Sequence, residues 1–190
     1  MSRISILYFS AYGHAAKLAD AVQRGAARVE GSTVLVHRIS ESGEITAADW
    51  DALGEAAAII YGTPTYMGGP AWQFKRVAEA SSRLWTEQVW RDKLAAGFTV
   101  SAATNGDKFS TIQYLWTFAQ QHSQIWVGTG LLPANTKAHG PADINWSGGF
   151  TGVMAIAPAD ASPDEAPRAG DIAAAEALGE RVARLARKFA

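Results

Sequence analysis

The chain has 190 residues, a length that suits one domain with a substantial core. Its 17 Lys and Arg against 18 Asp and Glu give a net charge of -1, which lacks the basic excess of a nucleic-acid-binding protein and weakens an interpretation as an acidic electron shuttle. The absence of cysteine excludes disulfides and Cys-based metal sites, and four histidines without an HExxH arrangement give no reason to expect a metal centre.

The stretch from Ile4 to Ala19 predicts a buried strand, a short loop and the start of a helix. The first N–H groups of a helix are unsatisfied and lie at the positive end of its dipole, so a loop of this kind can bind a phosphate. Ser10 offers a hydroxyl there, and Gly13 lets the backbone approach closely.

Neither a GxGxxG nor a GxxxxGK[ST] pattern occurs in this loop, which argues against a Rossmann dehydrogenase and against an NTPase. A single phosphate, as in a mononucleotide, fits better. The alternative is an ordinary turn between a strand and a helix, with Ser10 as the N-cap.

The rest of the chain alternates strand and helix patterns. The predicted elements are a helix over 13–29, a strand over 33–38, a brief helix over 47–53, a strand over 56–61, a helix over 71–77, a strand over 94–100, a helix over 111–121, a strand over 125–127 and a helix over 171–188. This alternation predicts a parallel sheet covered by helices on both faces. Residues from about 129 to 168 are too long for an ordinary connection, so we predict a functional insertion or an oligomer contact there.

Three polar loops follow the first, third and fourth predicted strands, at the sheet edge where ligands of such folds bind. The second, over 62–70, offers an aromatic face and exposed amides for a flat ring, and the third, over 101–107, offers hydroxyls and amide donors. A phosphate at one end and a flat ring between the other two loops describe flavin mononucleotide (FMN). Alternatively, Pro64 and Gly68 only set turn dihedrals, and Asn105-Gly106 is a common turn pair.

These stretches resemble the WrbA-type NAD(P)H:quinone oxidoreductases of the flavodoxin-like superfamily. The resemblance covers about residues 4–186 and is carried by Ser10-Ala11-Tyr12-Gly13-His14, Pro64-Thr65-Tyr66-Met67-Gly68, Leu84-Trp85, Lys93-Leu94-Ala95 and Gly148-Gly149-Phe150-Thr151-Gly152. It implies an α/β, flavodoxin-like, doubly wound five-stranded parallel sheet in the order 2-1-3-4-5, with helices on both faces. Residues 1–190 would then form a single FMN-binding domain with an irregular insertion at about 129–168.

The resemblance also implies which residues bind FMN. Those expected around the phosphate are Ser10, Tyr12, Gly13, His14 and Ala15; along the ribityl chain and ring, Pro64, Thr65, Tyr66, Met67 and Gly68; and at the pyrimidine side, Ser101, Ala102, Ala103, Thr104, Asn105 and Gly106. Trp85 of a neighbouring subunit would help to wall the place where nicotinamide and quinone stack.

The chain departs from the family pattern at three places. The family's glycine-rich third loop becomes Ser101-Ala102-Ala103-Thr104-Asn105-Gly106, its paired histidines become Gln120-Gln121 followed by His122, and the Gly148–Gly152 stretch lacks the usual proline and tyrosine. These changes bear on the quinone reductase assignment more than on FMN.

The activity that the resemblance implies is two-electron reduction of quinones by NADH or NADPH, through FMN and ping-pong hydride transfer. Flavin N5 would carry the hydride, so no catalytic side chain is assigned, with His122, His139 and Trp85 as candidates. The alternatives are an FMN-binding electron carrier or flavin-binding protein without its own substrate, and an interaction module without cofactor.

Assembly and location are further expectations. The tryptophan-bearing segments around Trp85–Trp90 and Trp126–Trp146 suit a buried interface, so we expect a homodimer or homotetramer. The N-terminal residues lack a signal-peptide layout and no apolar run reaches about 18 residues, which predicts a cytoplasmic protein without membrane insertion. A nucleic-acid partner is not expected.

Overall fold

Strands and helices alternate over residues 1–189, the part of the chain that the computed structural model describes. The strands are β1 (Ser2–Tyr8), β2 (Ser32–Arg38), β3 (Ala58–Tyr66), β4 (Gly69–Pro70), β5 (Leu94–Ser101), β6 (Ile125–Trp126) and β7 (Val153–Ile156). The helices are α1 (His14–Ala27), α2 (Ala47–Glu55), α3 (Trp72–Ala80), α4 (Ser82–Thr86), α5 (Lys108–Gln121) and α6 (Ala169–Phe189). Within this range, no helix combines the length and the apolar character needed to cross a bilayer.

The central sheet has the order β2-β1-β3-β5-β6, and its neighbouring strands are parallel. This order is the predicted 2-1-3-4-5, because the short hairpin strand β4 adds one to the numbering after β3. The predicted flavodoxin-like fold is therefore confirmed. The strands β4 and β7 and the short helix α4 are additions that the sequence patterns did not predict.

The sheet is covered on both faces, which explains why β1, β3 and β5 are buried almost throughout. On one face, Ile4 and Ile6 of β1 pack with buried residues of α1 and α6, such as Leu18 and Leu178. On the other face, Leu7 belongs to a second core formed with α2, α3 and α5. Because the strands are parallel, the loops that follow β1, β3 and β5 lie at one edge of the sheet.

Two glycines allow α1 and α6 to pack closely. A Cβ on Gly25 would overlap the carbonyl oxygen of Glu176, and a Cβ on Gly179 would overlap that of Val22. Arg28 adds an ion pair to Glu176 at 2.5 Å across the same contact. Because α6 holds α1 against the sheet in this way, the first turn of α1 has a fixed position at the sheet edge.

The last strand position of the sheet is divided between two short strands. β6 pairs with the start of β5, where Leu94 faces Ile125, and β7 pairs with its end, where Phe98 faces Val153. The chain between them leaves the sheet and returns to it, so the stretch predicted as an irregular insertion contains a strand. After β7 the chain lies at the same edge as the loops after β1, β3 and β5.

Candidate functional site

A pocket of about 720 Å³ opens at the carboxyl ends of β1, β3 and β5, within the volume range of small-molecule sites. Its lining residues are Ser10, Ala11, Tyr12, His14, Ala15, Pro64, Thr65, Tyr66, Val100, Ser101, Ala102, Ala157, Pro158, Ala159 and Ala161. The structure therefore brings parts of all three predicted loops together, and it adds a fourth wall from the residues after β7.

The start of α1 presents unused backbone donors to this pocket. The helix has Gly13 as its N-cap residue, with φ at 90°, and no side chain caps it. Within residues 1–189, the N–H groups of His14, Ala15 and Ala16 donate to no protein acceptor. Free amides at the positive end of a helix dipole fit a phosphate group, which is the group that FMN would place here.

The loop before α1 is held by hydrogen bonds that leave these donors free. The Oγ of Ser10 accepts from the N–H of Gly13 at 3.1 Å, and the carbonyl of Ser10 accepts from Arg38 at 3.3 Å. Ser10 is thus buried and shapes the loop from within. It lines the pocket beside the start of α1.

Residues 157–166, which we call the strap, close the fourth side of the pocket and are tied to α1. Lys17 Nζ donates to the carbonyls of Pro163 at 2.6 Å and of Asp164 at 3.2 Å. The Nδ1 of His14 lies 3.1 Å from the carbonyl oxygen of Ala166, which can only accept, so Nδ1 is the donor. A Cβ on Gly13 would lie 2.6 Å from the ring of Pro163, so only glycine leaves room for the strap.

The second loop is a hairpin instead of an irregular loop. β3 continues to Tyr66 and pairs with β4, and the turn between them has positive φ at both Met67 (48°) and Gly68 (77°). Two positive φ values are typical of the tight turns that match the twist of a hairpin. Met67 and Gly68 form the exposed tip and are not among the residues that line the pocket, so their expected contact with FMN stays a prediction.

A threonine cluster of Thr65, Thr99 and Thr111 fixes the base of this hairpin. The Oγ of Thr65 lies 2.8 Å from the hydroxyls of both other threonines, one on β5 and one on α5. All three are buried, and the Thr65 hydroxyl is engaged by the other two threonines. Thr65 therefore contributes to the pocket by positioning its backbone.

Two tyrosines leave aromatic surface free at the pocket. Tyr66 is 40% exposed and Tyr12 is 74% exposed, and both line the cavity. Burial of part of the ring, with a smaller contribution from the nearby Tyr12, raises the pKa of Tyr66. Neutral rings beside an open cavity provide a surface on which a flat heteroaromatic ring can lie.

The third loop contributes only its first residues to the pocket. Ser101 and Ala102 line it, whereas the predicted contacts from Ala103 to Gly106 do not. The reason is that the loop curls around the side chain of Lys108, which donates to the carbonyls of Ala103 and Thr104. No sequence signal singled out this lysine, because a lysine at a helix start normally faces solvent.

The walls formed by the strap were also missed. Ala157, Pro158, Ala159 and Ala161 carry no reactive side chain, and only the pairing of β7 with β5 brings them to the pocket. A four-residue strand inside a segment rich in Gly, Pro and Ala gives too weak a pattern to predict.

His122 and Trp85 lie away from the pocket within the chain. His122 follows α5 at the amino edge of the sheet, where the carbonyl of the next residue, Ser123, accepts from the N–H of Asp92 just before β5. Its ring is 2% exposed, lies 4.3 Å from that of Trp90 and is hydrogen-bonded to Ser81 Oγ at 2.9 Å. Burial lowers the pKa of His122 to about 4. His122 therefore cannot donate a proton to a flavin bound in the pocket of the same chain, and that expectation is wrong.

Trp85 is 46% exposed and lines a separate depression together with His122. The structure of the single chain thus does not bring Trp85 to the pocket, and its expected contribution from a neighbouring subunit stays a prediction.

A Ser-His-Asp arrangement elsewhere in the chain is structural. The Nε2 of His37 lies 3.1 Å from Ser5 Oγ, and its Nδ1 lies 2.8 Å from Asp49 Oδ1. Ser5 is only 1% exposed, so no substrate can reach its hydroxyl. Asp49 also forms the capping box of α2 with Thr46, and the three residues therefore fasten α2 to the sheet.

Comparisons with known proteins agree with this geometry. Residues 10–135 match the family described as NADPH-dependent FMN reductase. The chain is 43% identical over 189 residues to a protein named flavodoxin FldP from Pseudomonas aeruginosa, covering 100% of this chain and 99% of that protein. It is 31% identical over 205 residues to a protein named NAD(P)H dehydrogenase (quinone) from Chromohalobacter salexigens, covering 100% of both.

A solved structure of a WrbA-like flavodoxin from Agrobacterium tumefaciens is similar over 100% of both chains, with a TM-score of 0.81 and 38% identity. The family match spans most of the chain, and it includes the loop before α1 and the hairpin that form two walls of the pocket. The chain therefore belongs to the NADPH-dependent FMN reductase family, as a WrbA-type flavodoxin-like oxidoreductase that binds FMN.

Proposed function

We propose that the chain reduces quinones to hydroquinones with NADH or NADPH as electron donor. The observation that carries this proposal is the pocket itself, in which uncapped amides of α1 meet an open cavity between the hairpin and the third loop. Bound FMN would supply the chemistry, because it accepts a hydride from the nicotinamide and passes two electrons to a quinone, which takes up two protons.

The residues of the chain hold the cofactor and leave one side of it accessible. The amides of His14, Ala15 and Ala16 would bind the phosphate, with Ser10 keeping the loop in shape. The backbone from Pro64 to Tyr66 would lie along the ring, and Ser101 with Ala102 would face its pyrimidine side.

An open ring face favours an enzyme that stacks its substrates on the flavin. The third loop, over 101–107, contains no aromatic residue, so it cannot cover the ring by stacking. Nicotinamide and quinone could then occupy the same place in turn, as a ping-pong reaction requires. The relative named NAD(P)H dehydrogenase (quinone) supports this assignment.

The second candidate function is an electron carrier that receives and delivers electrons through protein partners. The 43% identical relative named flavodoxin favours it. The net charge of -1 argues against it, because carriers usually dock through a strongly charged face.

Steady-state kinetics separate the two candidates. The FMN-loaded protein should oxidise NADH or NADPH when benzoquinone is present, and double-reciprocal plots at several quinone concentrations should give parallel lines. Loss of turnover after removal of FMN, and its return on reloading, is the control. A fully loaded protein that oxidises neither nucleotide, yet accepts electrons from a separate reductase, is a carrier.

The remaining proposals concern organisation. Residues 1–190 would form one FMN-binding domain with an insertion at about 129–168, located in the cytoplasm and assembled as a homodimer or homotetramer. The exposure of Trp72, Trp85 and Trp116 supports assembly, since large exposed aromatics are typical of interfaces. Light scattering that gives a monomer at micromolar concentration would refute it, and Trp85→Ala should weaken assembly while Trp50→Ala should not.

A further inference from the structure

The helix α5 begins with a lysine that is buried instead of solvated. Lys108 is 2% exposed, and its Nζ donates to Ser101 Oγ at 3.0 Å, to the carbonyl of Ala103 at 2.7 Å and to that of Thr104 at 2.9 Å. An ammonium group has three N–H donors, and all of them are used here. The third loop therefore closes around a positive charge.

The geometry of the loop keeps this charge close to the pocket. Ser101 lines the cavity, so the ammonium lies one hydrogen bond behind the pocket wall. Gly106 closes the loop from the other side with φ at 56°, and a Cβ there would overlap Ser101 Oγ. Gly106 is thus packed tightly against Ser101, the residue that links the ammonium to the pocket wall.

One buried acid faces this lysine. Asp171 of α6 accepts a hydrogen bond from the N–H of Ile156 at 3.0 Å, and burial raises its pKa, although Lys108 and Arg168 act in the opposite direction. Burial lowers the pKa of Lys108, and Asp171 opposes that shift. Among the described residues the two form no ion pair within 4.0 Å, so the positive charge is offset only in part.

We propose that Lys108 sets the redox balance of the bound cofactor by favouring reduced FMN over oxidised FMN. Addition of a hydride, which is two electrons and one proton donated by NAD(P)H as it becomes NAD(P)⁺, makes the flavin ring one charge more negative. A fixed positive charge behind the pocket wall stabilises that form, because few water molecules screen it there. Lys108 acts through Ser101 and through its field, so it is a positioning residue. This inference rests on the proposed function.

The test compares the dissociation constants of oxidised and reduced FMN, measured anaerobically at neutral pH. Their ratio reports the midpoint potential of the bound cofactor. Lys108→Met should lower the ratio of the oxidised to the reduced constant about tenfold, which corresponds to about 30 mV for a two-electron couple. Asp171→Asn should raise the same ratio, because it removes the opposing charge. A purely structural role of Lys108 would weaken both forms equally and leave the ratio unchanged.

Lys93 offers a matched control. Its Nζ donates to the carbonyls of Gly54 at 2.7 Å and Ala56 at 2.6 Å, and burial lowers its pKa as well, but it lies before β5 at the other edge of the sheet. Lys93→Met should leave the ratio at the wild-type value. The inference is overturned if Lys108→Met does so too, or if Lys93→Met lowers the ratio as much.

Two outcomes distinguish the inference from the proposed function. If Lys108→Met no longer holds FMN, Asp171→Asn decides alone, and a ratio that does not rise overturns the inference. A wild-type protein that binds FMN without oxidising NAD(P)H refutes the proposed function, and the ratio still tests Lys108. A wild-type protein that binds no FMN refutes both.

Discussion

The two ends of α5 each bury a titratable side chain, and they do so in opposite ways. At its start, Lys108 donates three hydrogen bonds to a loop that borders an open pocket. Just after its end, His122 is packed between Trp90 and Phe118 and makes one hydrogen bond, to Ser81. Burial of an ionisable group therefore does not by itself mark a functional site. The site is the edge where polar groups surround open space.

The same contrast holds for the two edges of the sheet. At the carboxyl edge, backbone donors of α1 have no protein acceptor among residues 1–189. At the amino edge, in contrast, an aromatic cluster that includes Trp90 and Phe118 fills the space between the helices and the sheet. The carboxyl edge can bind a ligand, and the amino edge contributes stability. Variants at the carboxyl edge should therefore change mainly the affinity for FMN, and variants at the amino edge should change mainly the free energy of unfolding.

The largest effect on binding is expected at Gly13. Gly13→Ala places a side chain at a positive φ and against the ring of Pro163, so it should raise the FMN dissociation constant about 100-fold, or about 2.7 kcal/mol. Fluorescence titration of FMN measures this. Gly31→Ala is the control, since its φ is also positive but nothing lies within 4 Å of the added Cβ. Equal FMN affinity of the two variants would contradict the assignment of the phosphate site.

At the amino edge, burial of His122 should make the stability of the chain depend on pH. The pKa of His122 is about 4 in the folded chain and about 6.5 when unfolded, so between these values the unfolded state binds more protons. The free energy of unfolding should therefore fall by about 2–3 kcal/mol as the pH drops through this window, which urea unfolding at several pH values measures. The pKa of Asp171 is raised in the folded chain, so its contribution to the free energy of unfolding increases as the pH falls and opposes that of His122.

His122→Gln keeps a partner for Ser81 and cannot titrate, so it should remove this component of the pH dependence. It should leave FMN affinity at neutral pH unchanged, because His122 is remote from the pocket. An unchanged pH profile in this variant would show that the buried imidazole does not govern acid stability.

At the carboxyl edge, the threonine cluster should affect both the free energy of unfolding and the affinity for FMN. Thr65→Val removes the hydroxyl shared with Thr99 and Thr111 and should lower the free energy of unfolding by about 1–2 kcal/mol. FMN affinity should fall several-fold as well, because the hairpin loses its anchor. Thr33→Val, at an exposed position of β2, should change neither. A loss of stability without a loss of FMN affinity would separate the hairpin from the site.

The smallest effect is expected at the strap. Lys17→Met removes the hydrogen bonds to Pro163 and Asp164, which are exposed to solvent, so the FMN dissociation constant should rise only about two- to fivefold. Lys75→Met, which breaks an exposed pair with Glu79 on α3, is the control. If both variants bind FMN like the wild type, the strap does not contribute to retention.

The fold and the general position of the site could be predicted from the sequence, because both follow from local patterns. The apolar run before Ser10 and the loop that opens into α1 are visible in sequence, and strand–helix alternation places all such loops at one edge. The predicted order of the strands came from the family resemblance and is confirmed.

The details that could not be predicted depend on tertiary structure. Met67 and Gly68 were expected in the pocket, but the hairpin turns them outward, and only pairing of β3 with β4 reveals that. His122 was considered because of its chemistry, and its aromatic surroundings come from other elements. Lys108 was overlooked for the converse reason. Lysine is normally exposed to solvent, and nothing in the neighbouring sequence indicates that this one is buried.

The division of the last strand position has a consequence for any redesign of the chain. β7 has four residues and pairs only with β5, yet its register sets where Ala157 and the rest of the strap stand. A slip of two residues would move them by about 7 Å and open the cavity on that side. Within the excursion from 127 to 152, residues 135–139 are exposed, so foreign sequence is best grafted there, provided that the chain still delivers Val153 opposite Phe98.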